Sequence, residues 1–309
     1  VSADSALVIS RFLHFAALLY VFGGAFFPFY AFSKDEREAS ALLAFQHKGS
    51  IFAACLLALA SGFAWLFFAS VSMAGSYSEA MDSEMMGTVL LGTSFGKVWI
   101  ARLILVTAVV ILAGFGPVRS NFWLAVLSAA ALGSLAGVGH TQSQDGMDAL
   151  IHMAADSAHL LAAGAWLGGL VPLAAILAGP PKSGAVSQTG MALILRRFSA
   201  MGSIAVPVLL ASGSINSWYL AGSISRLTAS PYGVFLSIKL GLFASMLLFA
   251  CVNRFWLTPK VAIESGTVGG AMAIRRLRGN VFFEQAFGAL VLIAVSIMGT
   301  LPPGATPIP

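Results

Sequence analysis

The side chains best equipped for chemistry are gathered in one short stretch. His140 opens it, Met147 and Asp148 follow, and the next turns carry His152, Met153, Asp156 and His159. On an α-helix, at 100° per residue, His152 and His159 stand about 20° apart around the axis, and Asp148 and Asp156 flank His152 within about 40°. Four polar groups therefore share one stripe of an otherwise apolar segment. Imidazole and carboxylate both ligate metals, and imidazole accepts copper in either oxidation state. At a rise of 1.5 Å per residue His159 lies about 10 Å beyond His152, too far for one ion to bridge both. The expectation is two sites, or two stations on one path, each completed by side chains from other segments. His14 and His140 are the imidazoles available to complete them.

A second set of soft ligands lies between Ser72 and Met86, where Met73, Met81, Met85 and Met86 are interspersed with Glu79, Asp82 and Glu84. Thioether sulphur favours Cu(I), so methionine with histidine and no thiolate at hand points to copper ahead of zinc or iron. Met147 and Met153 add two more sulphurs beside the histidines. Cys55 and Cys251 both fall inside apolar segments, which sets aside a disulfide framework or a paired-thiolate motif. They read as buried core residues, with an exit station for an ion as the sharper alternative. His47 reads as a solvated loop residue. No Walker A sequence, HExxH, GxSxG or Gly-rich dinucleotide turn is present, so the chain reads as a non-enzyme and any transport as not driven by ATP bound to it. A cation moving inward would be driven by the membrane potential, worth about 2.3 kcal/mol per charge per 100 mV, which serves uptake and not export.

What must position these groups is a membrane bundle. Hydrophobic residues make up 58% and charged residues 9% of the chain, against roughly 45–50% and 25% in soluble domains, and the mean hydropathy is +0.89. Too few charges remain for a water-facing surface. The net charge of +5 is carried in short loops between apolar runs, a topology signal and not a nucleic-acid footprint. Runs near 6–31, 49–73, 96–115, 122–139, 150–177, 198–220, 232–256 and 281–301 each supply the roughly 20 residues that cross a bilayer. In lipid a helix or a closed barrel satisfies its own backbone, and the alternating pattern of barrel strands is missing. The expected fold is therefore all-α, one transmembrane domain over 1–309 with about eight helices. The first run, from Ala6, has no basic flank and exceeds the length of a signal peptide's apolar region, so it counts as the first span.

Basic residues gather in alternate loops. Lys34, Arg37 and Lys48 follow the first span, Arg119 the third, Lys182, Arg196 and Arg197 the fifth, and Arg254, Lys260, Arg275, Arg276 and Arg278 the seventh. The positive-inside rule makes these loops cytoplasmic and puts both termini, the methionine loop and the His140 loop on the periplasmic side. Four of the five histidines then lie in the outer half. Arg11, Arg102 and Lys239 enter the membrane there too, and Asp156 needs one of them, Lys239 by depth. Gly133 with Gly137, and Gly164 with Gly168, have the spacing of close helix crossings.

Taken along its length, the chain resembles the copper-resistance protein D family (CopD, PcoD) of bacterial inner-membrane proteins. The likeness covers most of the chain and is strongest from His152 onward. It runs through His159, Trp166 and Gly169, then Ser212 to Asn216, Lys239 to Phe243, Asn253 and Arg254 to Pro259, Leu277 and Arg278 with Glu284 to Gly288, and Gly299 to Pro303. The resemblance implies a copper ion as cargo, movement from periplasm toward cytoplasm in copper resistance, and a separate periplasmic carrier of the CopC type as partner. It also implies ligand roles for His140, His152 and His159, which match the family's histidines at the outer ends of the central helices. Two other readings stand beside this one. A b-type haem oxidoreductase would use His14 and His159 as axial ligands at matched depth on facing helices. A copper storage or delivery accessory would need no path through the inner half, where Cys55, Cys251, Asn216, Asn253 and Glu284 are the polar or soft groups on offer.

Overall fold

The structure, a computed structural model, describes residues 2–39, 41–117, 121–138, 146–179, 188–221 and 230–302. Among the described residues the chain is helical throughout, with no strand. Among these residues eight helices are long and apolar enough to cross a membrane: α1 (Ala3–Ala31), α2 (Lys48–Ala74), α3 (Ser94–Phe115), α4 (Asn121–Val138), α5 (Gly146–Ala178), α6 (Gly190–Leu220), α7 (Pro231–Ile263) and α8 (Val268–Met298). The all-α reading and the count of eight agree with the sequence. Starts are set by side-chain oxygens that accept otherwise orphaned backbone N–H groups. Ser2 accepts from Ser5, Thr93 from Gly96, Ser230 from Gly233 ahead of Pro231, and Thr267 from Gly270.

Three helices overrun the apolar runs at their basic ends. α6 begins at Gly190 where the apolar run begins near 198, α7 continues to Ile263 past 256, and α8 begins at Val268, well before 281. Arginine is a good helix former, and a helix that leaves the bilayer no longer needs apolar side chains, so charge ends the span without ending the helix.

Consecutive helices alternate in direction. Arg11 of α1 lies against Gly299 after α8, so the start of α1 and the end of α8 share a face. At the opposite face Lys48 Nζ donates to the Gly116 carbonyl, Arg254 donates to the Ser199 carbonyl, and Arg197 pairs with Glu36 at 2.6 Å. The Ser33 backbone N–H and the Arg197 guanidinium hold the Glu36 carboxyl down to about 2. This is the basic face. The other carries Met73, Met81 and Met147, all exposed, and is called the methionine face below.

Helix α1 is the spine. Its first part packs into a core with α2, α3 and α4 around Leu18, Cys55, Trp99 and Leu132. Its last turns join a second core with α5 to α8 around Phe27, Leu173, Phe198 and Leu277. Glycine makes the junction possible: a Cβ on Gly23 would lie 2.2 Å from the Gly168 backbone, and one on Gly168 would lie 2.0 Å from the Leu19 carbonyl oxygen. Gly164 is as confined, against Phe22 and Leu132. Residues Gly164–Gly168 form a π turn, and Tyr30 Oη donates to the Ala165 carbonyl within it. The close crossing expected at Gly164 and Gly168 is thus present. At Gly133 and Gly137 it is not, because added Cβ atoms would meet neighbours at 3.9 and 3.5 Å, ordinary contact.

Candidate metal centre

The stripe read from the sequence of α5 finds its partner on α6. Over Gly146–Ala163 the backbone is regular α-helix, so Asp148, His152, Asp156 and His159 keep the common face that their spacing implies. Opposite them α6 presents Ser212, Asn216 and Tyr219, at i, i+4 and i+7. Tyr219 Oη donates to Asp148 Oδ1 at 3.1 Å and its ring stacks on His152, centroids 4.9 Å apart. Asn216 Nδ2 donates to Asp156 Oδ1 at 2.9 Å. His159 Nδ1 meets Ser212 Oγ at 3.0 Å, and Gly213, which has no side chain, leaves room for the edge of the imidazole.

The tautomer of His159 follows from its neighbours. Ser212 Oγ donates its own proton to the Val208 carbonyl at 2.5 Å, so toward the imidazole it accepts and Nδ1 carries the hydrogen. The Leu209 backbone carbonyl, 3.4 Å from Ser212 Oγ, is the ring's other hydrogen-bond partner and, being an acceptor, agrees with a proton on Nδ1; Nε2 then holds the lone pair. A ring oriented through one nitrogen with the other left bare is the arrangement found in metal-ligating histidines. Lys239 of α7 is the cation that acts on both Asp156 and His159, and Tyr232 of α7 is buried near Asp156. The pairing of Asp156 with Lys239 expected from depth is present as a Coulombic neighbour, with Asn216 as the hydrogen-bonded one.

His14 is placed differently. It is fully buried among α1, α2, α3 and α4. Its Nδ1 meets the Ala58 carbonyl at 2.8 Å and Ser61 Oγ at 3.3 Å, and its Nε2 meets an Arg102 terminal nitrogen at 2.8 Å. A guanidinium can only donate, so Nε2 accepts and Nδ1 donates, and both nitrogens are engaged. Arg102 is tied in turn to Ser134 Oγ at 2.6 Å and the Ala131 carbonyl at 3.2 Å, and Trp65 and Trp99 pack against the imidazole. The axial lone pair that a haem would take from His14 is already occupied by Arg102.

The remaining expected residues fall into three groups. Met73, Met81, Met85, Met147 and Met153 are exposed, and Met86 is half-buried with its sulphur 4.0 Å from Ser70 Oγ. The methionine loop is itself ordered into short helices Tyr77–Ala80 and Ser83–Gly87, the second capped by Asp82. Cys55 is buried in the core of α1 to α4, whereas Cys251 lines a cavity among α5 to α8, so the two thiols occupy separate environments. His140 lies outside the described residues, and His47, expected in a loop, falls within the helical segment Ala41–Ala74. Among the described residues no three His, Cys, Asp or Glu side chains converge on one point. Sequence reasoning missed Tyr219 and Tyr232; the first was available from its 3.5-per-turn spacing with Ser212 and Asn216, while the second sits at the very start of α7 without a periodic partner.

Comparison with known proteins places these features in a family. Residues 2–151 match the family model described as copper resistance protein D-like, N-terminal domain, and residues 192–298 match that of copper resistance protein D. The chain is 31% identical over 307 residues to copper resistance protein D of Pseudomonas syringae pv. tomato, covering 97% of each. It is 29% identical to the inner membrane protein YebZ of Escherichia coli strain K12, over 95% of this chain and 97% of that one. It is 26% identical to the copper transport protein CutJ of Bacillus subtilis strain 168, over 76% of this chain and 42% of that one. No solved structure matches it. With eight apolar helices and near full-length kinship to an inner-membrane protein, the chain is a multi-pass inner-membrane protein, and it belongs to the copper resistance protein D family.

Proposed function

We propose that this protein takes copper from the periplasm at its methionine face and passes it toward the cytoplasm, without enzymatic chemistry of its own. The observation that carries the reading is the apposition of the α5 stripe and the α6 stripe, which orients His159 through Ser212 and leaves its Nε2 lone pair bare. The exposed sulphurs of Met73, Met81, Met85, Met147 and Met153, with Met86 beneath them, collect Cu(I) at the surface. His152 and Asp148 form an upper station, to which the family resemblance adds His140 as a ligand. His159 and Asp156, about 10 Å deeper along the helix, form a lower one, where the Asp156 carboxylate offsets the charge of Lys239 and of an arriving ion. His14 stands outside the ligand set in this reading and holds Arg102 in place.

The basic face is cytoplasmic by the positive-inside rule and both termini are periplasmic, so the potential drives a copper ion from the histidines inward. Cys251, on the wall of a cavity in the inner half, is the thiol placed to receive it; Cys55 is enclosed. A periplasmic carrier of the CopC type is the partner that would deliver copper to the methionine face. The test is copper entry into proteoliposomes with an inside-negative potential. Wild type should accumulate copper and a His152→Ala, His159→Ala variant should not; equal rates would refute the transport reading.

A further inference from the structure

The inner half of the bundle holds a buried carboxyl that the histidine stations do not use. Glu284 of α8 is 2% exposed. Its Oε1 accepts from Asn253 Nδ2 at 2.7 Å, Asn253 Oδ1 accepts from Asn280 Nδ2 at 2.7 Å, and the Trp166 side chain also donates to the carboxyl. Both partners of the carboxyl are neutral, as is Asn280 behind Asn253. Asn253 stands where α7 enters a π turn, Asn253–Leu257, the kind of local widening that re-aims a side chain. Beside the carboxyl lies a cavity of about 280 Å³ walled by α5, α6, α7 and α8. It is mostly apolar and runs toward the basic face, where Ser199, Ser203, Arg254 and Thr258 line it.

A carboxyl so enclosed carries either a proton or a cation, since a bare charge in that medium is expensive. Arg254 is the cation on the cavity wall, but its terminal nitrogen is engaged by the Ser199 carbonyl and the Ser199 and Ser203 hydroxyls. Among the described residues no ion pair reaches Glu284. The other titratable group on the wall is Cys251, also from α7; α5 and α6 bring uncharged side chains, α8 adds Asn280, and α1, though packed on α8, brings no titratable side chain to the cavity. The cavity has room for several waters between the carboxyl and the basic face.

We propose that Glu284 is a proton-exchange site reached from the basic face through this cavity. Its carboxyl gives a proton to cavity water, leaving carboxylate and hydronium, and takes one back by the reverse step. The exchange stands without copper; its use in coupling, with the proton released as a copper ion enters the inner half, rests on the transport reading above. The test is infrared spectroscopy of copper-free protein in liposomes. Wild type should give a protonated carboxyl band that shifts on transfer to heavy water, and the band should vanish in Glu284→Gln, an isosteric change that keeps the Asn253 contact, but remain in Asp156→Asn. Gly202 lines the cavity and a Cβ there meets nothing within 4 Å, so Gly202→Leu should keep the band and slow its shift severalfold. A band that persists in Glu284→Gln, or a wild-type exchange rate in Gly202→Leu, would overturn the proposal. A Glu284 band in a wild type that moves no copper would refute transport alone.

Discussion

At the scale of single residues, the difference between His159 and His14 is a matter of which atom each nitrogen faces. Ser212 accepts from His159 Nδ1 and leaves Nε2 bare, whereas Ala58 and Arg102 take both nitrogens of His14. Removing the orienting hydroxyl should therefore weaken the metal without removing a ligand. Ser212→Ala should lower copper affinity by roughly 10- to 100-fold, the usual cost of losing such a supporting contact, with the fold intact by circular dichroism. Binding isotherms of the purified protein would measure it, and unchanged affinity would assign His159 a packing role. The α5 stripe was legible in the sequence because its four polar residues obey the helical period. The partner stripe on α6 obeys the same period, but Ser212, Asn216 and Tyr219 carry no charge or metal-ligand pattern that would single them out as a set. The engagement of His14 by Arg102, 88 positions away, was not legible, because sequence gives the depth of a side chain and not the rotation of one helix against another.

At the scale of elements, the junction of α1 with the π turn of α5 holds the two cores together. Gly168→Val would drive side-chain atoms into the Leu19 carbonyl and should cost about 1–3 kcal/mol or more, read as a lower unfolding midpoint in detergent. Gly137→Ala, with 3.5 Å to its nearest neighbour, should leave the midpoint unchanged. Both glycine pairs look alike in sequence, and the distinction lies in what crosses them. On the basic face, the Glu36 clamp on Arg197 ties the α1 end to the start of α6. Its folded value, about 2, lies below the usual 4.5, so it contributes stability above about pH 4.5 and loses it as pH falls through about 2. Glu36→Gln should thus be less stable than wild type at neutral pH, the gap closing between those values; with the carboxyl 40% exposed, the gap should stay within about 1 kcal/mol. The helix count was legible from apolar runs, whereas the basic ends of α6, α7 and α8 were not, because hydropathy marks where lipid stops and not where helix stops.

At the scale of the whole molecule, the eight helices sort their chemistry by face. Sulphur and imidazole gather toward one, most of the arginine and lysine toward the other, and between them lie the α5–α6 apposition and, deeper, the Glu284 cavity. Copper handling, as proposed, depends on the histidines of α5. The direct measurement is the copper bound per molecule of purified protein, by elemental analysis, in wild type, in the His152→Ala, His159→Ala variant and in His14→Gln, whose amide can still accept from Arg102. The double variant should lose its copper and His14→Gln should keep it. Full copper stoichiometry in a folded double variant would contradict that dependence.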